Sequence, residues 1–311
     1  MTAQPATRQR PRDLKASIGV VGAAFIWGSM VPLTALALTT LDTFFLAAVR
    51  YSVALPALGA IAWLADRRFP LHRHLPWRQI IPLGAIGMGL FVICFTLGIH
   101  YSDPITVAAL ISGAPIVSAV AMRVLEGERL AARLPFAILL AVGGGLMVAL
   151  GKPESTASQG FRGGELLVLT AMLVWAWYSV KSQAWLALRA GMSQPAISFL
   201  TALAAALFLW IVFLVGQAAG FAQAPSQPLP LPIWLNILWL GIACTGMATL
   251  LWNYGVSRLG VTVATLQLNL EPVFAVLVGV ALGAAAGWLQ ILGGLVVLAG
   301  VIWVQMAPRT R

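Results

Sequence analysis

The chain has 311 residues, of which 60% are hydrophobic and 9% charged. Soluble domains carry about 25% charged residues, so this composition excludes a soluble enzyme and a disordered chain. With two cysteines it also excludes a disulfide scaffold. The net charge of +10 does not indicate nucleic acid, because the cations stand in short clusters between apolar stretches rather than on one basic face.

A membrane-crossing helix needs about 20 mostly apolar residues. Ten such stretches occur, at 16–38, 43–65, 79–100, 104–123, 134–150, 164–187, 193–216, 232–256, 260–283 and 286–306. They predict an all-α integral membrane protein with ten transmembrane helices. The stretches are too long and continuous for the alternating strands of a membrane barrel. The first follows Arg8, Arg10, Arg12 and Lys15, as a signal peptide would. It exceeds the length of a signal core and contains Trp27 and Pro32, so it reads as a retained helix. With the N-terminus in the cytoplasm, 15 of the 19 Lys and Arg residues fall in cytoplasmic tails and loops, and only Lys152 and Arg162 fall outside. By the positive-inside rule both termini are cytoplasmic, and the expected location is a bacterial inner membrane.

In chain order, the first span carries Trp27, an aromatic residue well inside the bilayer. The second carries Arg50, about 10 Å in at 1.5 Å per residue, where it could pair with Glu271, hold a substrate carboxylate or snorkel to the interface. Phe91 and Phe95 lie in the third span. The fourth opens on Asp103-Pro104, which looks like an N-cap with proline at the first helical position, and contains Pro115 near mid-membrane. The fifth holds the Gly143-Gly144-Gly145 run, read as close helix packing, as is Gly279-x-x-x-Gly283 in the ninth. In the sixth, Trp175 and Tyr178 share a face, and Lys181 lies near the cytoplasmic end, where snorkelling accounts for it. Trp252 and Asn253 lie in the eighth. The ninth contains Gln267, Asn269, Glu271 and Pro272. Glu271 is about 16 Å along its span, the one carboxylate in the chain at such depth, and shares a helical face with Gln267. A carboxylate there marks function by default, as a proton carrier or a partner for a substrate ammonium. Pro115 and Pro272 are expected to bend their helices and serve as hinges.

The chain also resembles itself. Gly98-Ile99 leads to Gly113-Ala114-Pro115 and Gly255-Val256 to Leu270-Glu271-Pro272, with a glycine-to-proline spacing of 17 in both. Trp27-Gly28-Ser29 has a counterpart in Trp175-Ala176-Trp177, at a shift of 148. The implied division is a tail at 1–15, a five-helix repeat at 16–150, a periplasmic linker at 151–163, a second five-helix repeat at 164–306 and a tail at 307–311. Five is odd, so the second repeat is inverted, which is a signature of transporters working by alternating access.

Three motifs occur in order: Trp27-Gly28-Ser29-Met30-Val31-Pro32, Leu125-Glu126-Gly127-Glu128-Arg129-Leu130, and Asn269-Leu270-Glu271-Pro272-Val273-Phe274-Ala275. With them the chain resembles the EamA branch of the drug/metabolite transporter superfamily over essentially its whole length, and within it the YddG-type aromatic amino-acid exporters. It departs from that pattern where the second half should repeat the Gly-Glu-Arg loop and instead reads Gly283-Ala284-Ala285-Ala286-Gly287. The resemblance implies a secondary transporter that exports aromatic and other neutral amino acids. Carriage of other metabolites or of cationic drugs such as paraquat is the alternative. The substrate site is expected near the midplane, among Trp27, Phe91, Phe95, Trp175, Tyr178, Trp252, Asn253, Gln267, Asn269 and Glu271.

No phosphate-binding loop, catalytic dyad or metal motif occurs. His72 and His74 share a basic loop, and Cys94 and Cys244 are lone thiols in apolar spans. The expectation is therefore a non-enzyme without cofactor or metal. Its partners would be a small-molecule substrate and the lipid bilayer, with no nucleic acid and no obligate protein.

Overall fold

The computed structural model describes residues 13–67, 75–101, 110–127, 134–150, 163–281 and 287–305. The Asp103-Pro104 cap, His72 and His74, Glu128 and Arg129, Gly283 and the linker after Leu150 lie outside the described residues.

All described secondary structure is helical. The helices are α1 (Leu14–Leu38), α2 (Thr43–Asp66), α3 (Trp77–Tyr101), α4 (Ala114–Glu126), α5 (Leu134–Leu150), α6 (Gly164–Arg189), α7 (Gln194–Ala218), α8 (Leu231–Leu259), α9 (Val261–Leu268, resuming as Glu271–Ala281) and α10 (Trp288–Gln305). Five are long and apolar enough to cross a membrane: Thr43–Asp66, Trp77–Gly98, Gln194–Ala218, Leu231–Leu259 and Val261–Val278. The remaining apolar helices are shorter by that measure, as in Leu14–Met30, Leu134–Val148 and Trp288–Trp303. The starts are set by polar caps. Asp13 accepts the Ala16 amide, Asp42 those of Phe44 and Phe45, and Ser193 that of Ala196, each supplying an orphan N–H with an acceptor. Leu207, Ile211 and Leu214 on α7, at helical spacing, leave an exposed apolar stripe, as lipid contact requires.

Three helices widen into π-helical turns: Leu83–Leu90 within α3, Ser182–Arg189 at the end of α6 and Trp239–Met247 within α8. In a π-helical turn the backbone bonds reach five residues back instead of four. In α8 the Thr245 hydroxyl donates to the Leu240 carbonyl, five residues back, at 2.9 Å. Two further helices are interrupted. The fourth helix turns at Gly113 before Ala114, and α9 turns at Asn269-Leu270 before Glu271. Pro115 and Pro272 are each the second residue of the new helix. At that position the missing N–H costs no intrahelical bond, so these prolines follow a break rather than bend a continuous helix. The break also removes the shared face expected for Gln267 and Glu271.

Three helix contacts recur when the two halves are exchanged. α1 packs on α8 as α6 packs on α3; α2 on α8 as α7 on α3; and α1 on α9 as α6 on α4. Glycine contacts give this residue detail. A side chain on Gly98 would meet Val168 and the Gly164 carbonyl, whereas one on Gly255 would meet Val20 and the Ala16 carbonyl. Gly84 abuts α7 at Thr201, and Gly241 abuts α2 at Arg50.

Equivalent helices also meet each other, and do so antiparallel. At one end of the α2–α7 pair, Ser193 Oγ donates to Asp66 Oδ2 at 2.7 Å; at the other, the rings of Phe44 and Phe221 lie 5.4 Å apart. Along α5–α10, Phe136 meets Trp303, and a Cβ on Gly144 would stand 2.6 Å from the Gly293 carbonyl oxygen. The glycine run at 143–145 thus permits close backbone approach.

Candidate functional site

Where α1, α3, α6 and α8 converge, aromatic residues collect. Trp175 is the hub, with ring centroids 4.9 Å from Phe91, 5.2 Å from Tyr178, 5.7 Å from Trp27 and 5.9 Å from Trp252. Phe91 stacks in turn on Phe95 at 5.5 Å. Edge and offset contacts of this kind stabilise beyond their buried area. All six aromatic residues expected from the sequence therefore form one cluster.

Their polar ends are mostly engaged. The Trp27 indole donates to the Cys244 carbonyl at 2.8 Å and Trp252 to Ser179 Oγ at 3.1 Å. Asn253 Nδ2 donates to the Tyr178 hydroxyl at 3.0 Å and to Ser198 Oγ at 2.8 Å. Tyr178, Trp252 and Asn253 are fully buried, so they form a supporting layer. Trp175, Phe91 and Phe95 remain half-buried. Among the described residues the Trp175 indole N–H forms no hydrogen bond, so this ring offers a free donor.

Glu271 opens the second segment of α9 and is half-buried. It stands against α1, where a Cβ on Gly28 would come within 2.9 Å of its carbonyl oxygen. Asn269 Nδ2 donates to the Ser112 carbonyl at 3.0 Å, tying the break in α9 to that before α4. Gln267 lies elsewhere. Its amide donates to Ser17 Oγ at 3.2 Å near the start of α1, and its Oε1 is buried without a partner among the described residues.

The two intramembrane cations separate. Arg50 is buried, with Nε on Thr245 Oγ1 at 3.0 Å and Nη2 on Met30 Sδ at 3.4 Å. Among the described residues it forms no ion pair, so of the three roles open to it the pairing with Glu271 is not made. Lys181 does not snorkel freely. It pairs with Glu126 Oε1 at 2.7 Å and also donates to the Leu125 carbonyl at 3.3 Å, joining α6 to the end of α4.

Ser179, Ser198, Thr201 and Thr245 hold these side chains in place and were not singled out by the sequence. Small hydroxyl residues satisfy their own helix carbonyls in any span, as Thr201 does on Ile197, so only the partner across the helix interface marks them. Among the described residues no cluster of His, Cys, Asp and Glu could hold a metal ion.

The EamA-like transporter family model matches residues 14–150 and again 162–306. Over 294 residues the chain is 24% identical to the uncharacterized transporter YetK of Bacillus subtilis, covering 93% of this chain and 86% of that one. It is 22% identical over 223 residues to YyaM of the same organism, at 71% of each chain. It is 26% identical to an uncharacterized transporter of Archaeoglobus fulgidus, over 89% of this chain and 92% of the other. A crystal structure of a protein 21% identical superposes with a TM-score of 0.76, covering 94% of this chain and 96% of that one, and so shares the fold.

Proposed function

We propose, from the premise that this chain belongs to the EamA-like transporter family, that it is a ten-span carrier exporting amino acids, aromatic and other neutral ones, by alternating access. It is a multi-pass membrane transporter of small solutes by family. The finer reading places it in the bacterial inner membrane with both termini cytoplasmic, built from inverted halves at 16–150 and 164–306. Substrate lies at the midplane on Trp175, Phe91 and Phe95, with Trp27, Tyr178, Trp252 and Asn253 behind them and Glu271 at the edge. Asn269 tethers the two broken helices beside this site, and Gln267 belongs to the cytoplasmic end of α1. The interruptions before Pro115 and Pro272 act as hinges, on which segments of α4 and α9 swing to open the site to either side.

The observation that carries the reading is the aromatic cluster at the meeting of the two halves, flanked by symmetry-equivalent helix breaks. Apolar rings receive an apolar side chain, and broken helices at membrane depth are tolerated where they border a cavity. Counterflow into proteoliposomes tests it with tryptophan, phenylalanine, threonine and paraquat. Saturable exchange of the amino acids supports the reading. Saturable exchange of paraquat alone makes the chain a cation carrier, and unsaturable flux without counterflow makes it a channel.

A further inference from the structure

Arg50 is a full positive charge inside the protein at membrane depth. Its guanidinium has five N–H donors, yet among the described residues its contacts are one threonine hydroxyl, one thioether and the face of Tyr51 at 5.9 Å. Thioether sulfur is a weak acceptor, and none of these groups carries negative charge. The Thr245 hydroxyl, committed to the Leu240 carbonyl, turns its lone pair to Arg50 Nε and so fixes the direction of the fork. A buried cation without a counter-ion is expensive.

A residue of opposite charge, Glu271, packs on the same helix that Arg50 contacts, and among the described residues the two form no ion pair. Met30, the contact of the Arg50 guanidinium, and Gly28, which faces the Glu271 backbone carbonyl, are two residues apart on α1. On α8 the Cys244 carbonyl takes the Trp27 indole, and its neighbour Thr245 takes Arg50. Arg50 from α2 and Glu271 from α9 therefore meet the same stretch of α1, beside Trp27 of the aromatic cluster. The other half of the molecule lacks this arrangement. Thr201 abuts Gly84 on α3 as Arg50 abuts Gly241 on α8, and Thr201 meets the neutral hydroxyl of Tyr178.

We infer that Arg50 is the specificity-determining residue for the substrate carboxylate, and that Arg50 and Glu271 together select zwitterions: carboxylate on Arg50, ammonium on Glu271, side chain on the rings of Trp175 and Phe91. This deepens the amino-acid reading and rests on it. Binding supplies Arg50 with an anion, which no described residue supplies. A guanidinium held by its Nε keeps a two-pronged edge for a carboxylate.

The test is counterflow with three probes that share an indole ring: tryptophan, tryptamine without the carboxylate, and indole-3-propionate without the amine. Wild type, Arg50→Gln and Arg50→Lys are compared. Wild type is expected to exchange tryptophan well and tryptamine poorly. Arg50→Gln is expected to shift the tryptophan-to-tryptamine ratio of kcat/KM toward tryptamine by roughly tenfold or more, the scale of one charged hydrogen bond. Arg50→Lys keeps the charge but not the fork, and should raise the KM for tryptophan while leaving tryptamine unaffected. This variant carries the test if Arg50→Gln does not fold. Wild-type tryptophan exchange with an unchanged ratio in the folded variants overturns the assignment of Arg50 and leaves the amino-acid reading standing. No saturable amino-acid exchange by wild type overturns both.

Discussion

At the scale of single residues, the buried amide of Asn253 shows how the aromatic cluster is held rigid. It serves two hydroxyls from two other helices, Tyr178 on α6 and Ser198 on α7, in a place water does not reach. Replacing it with leucine leaves both hydroxyls short of a partner at about 1–3 kcal/mol for each buried group stranded. Asn253→Leu should therefore lower the thermal unfolding midpoint in detergent, and it should slow exchange because Tyr178 and Trp175 lose their fixed positions. Glycines give a paired prediction of opposite sign. Gly28 faces the Glu271 carbonyl, the Ala275 amide and Phe274, and a backbone neighbour cannot move aside as a flexible side chain can. Gly28→Val should cost about 1–3 kcal/mol by overpacking and displace the α9 segment that carries Glu271. Gly143 sits in α5 with nothing within 4 Å of where its Cβ would be. Gly143→Ala should stabilise by roughly 0.5–1 kcal/mol, the helix-propensity difference alone. Both variants are read by the unfolding midpoint.

At the scale of helices, the Lys181–Glu126 pair ties the two halves together through α6 and α4. With side chains 16% and 34% exposed, its worth to stability is under about 1 kcal/mol, but it spans a joint that must open if the halves rock. Lys181→Glu should slow exchange far more than it lowers the unfolding midpoint, and Lys181→Glu with Glu126→Lys should restore most of the rate. A double variant no faster than the single one removes the pair from the transport cycle. The sequence made these elements partly legible. Among the described residues the apolar runs placed most helix ends to within a few residues, and the aromatic residues inside spans pointed to the cluster, because ring size stands out against an aliphatic background. The π-helical turns were invisible, since one extra residue per turn leaves an almost uniformly apolar run apolar. The break at Asn269-Leu270 was invisible for a related reason: Pro272 announces an interruption but not whether the helix bends or stops. That ambiguity is why Gln267 was grouped with Glu271 yet sits by Ser17. The partner of Lys181 was hidden by a sequence separation of 55 residues.

At the scale of the whole molecule, the antiparallel packing of equivalent helices constrains how the chain sits in a bilayer. α2 and α7 occupy the same place in their halves and lie side by side along their full lengths in opposite directions, with Asp66 against Ser193 at one end and Phe44 against Phe221 at the other. α5 and α10 repeat the relation through Phe136 and Trp303. Two halves related in this way cannot both enter the membrane from the same side. The 25 residues of α7 span about 37 Å at 1.5 Å per residue, enough to cross the hydrocarbon core, so Ala190 before it and Ser226 after it fall on opposite faces. Arg189, Arg67 and Arg78 gather at the Ala190 end and no cation lies between Ala190 and Ser226, so the proposed orientation puts the Ala190 end in the cytoplasm. A single cysteine introduced at Ser226 should react with an impermeant maleimide in intact cells. One at Ala190 should react only after permeabilisation, and tags on the two chain ends should follow Ala190. Labelling of both positions from outside, or chain ends that answer on different sides, would break the inverted arrangement. Alternation about a shared central site would fail with it, because opposed halves are what let one inward-closed and one outward-closed packing be equivalent in energy.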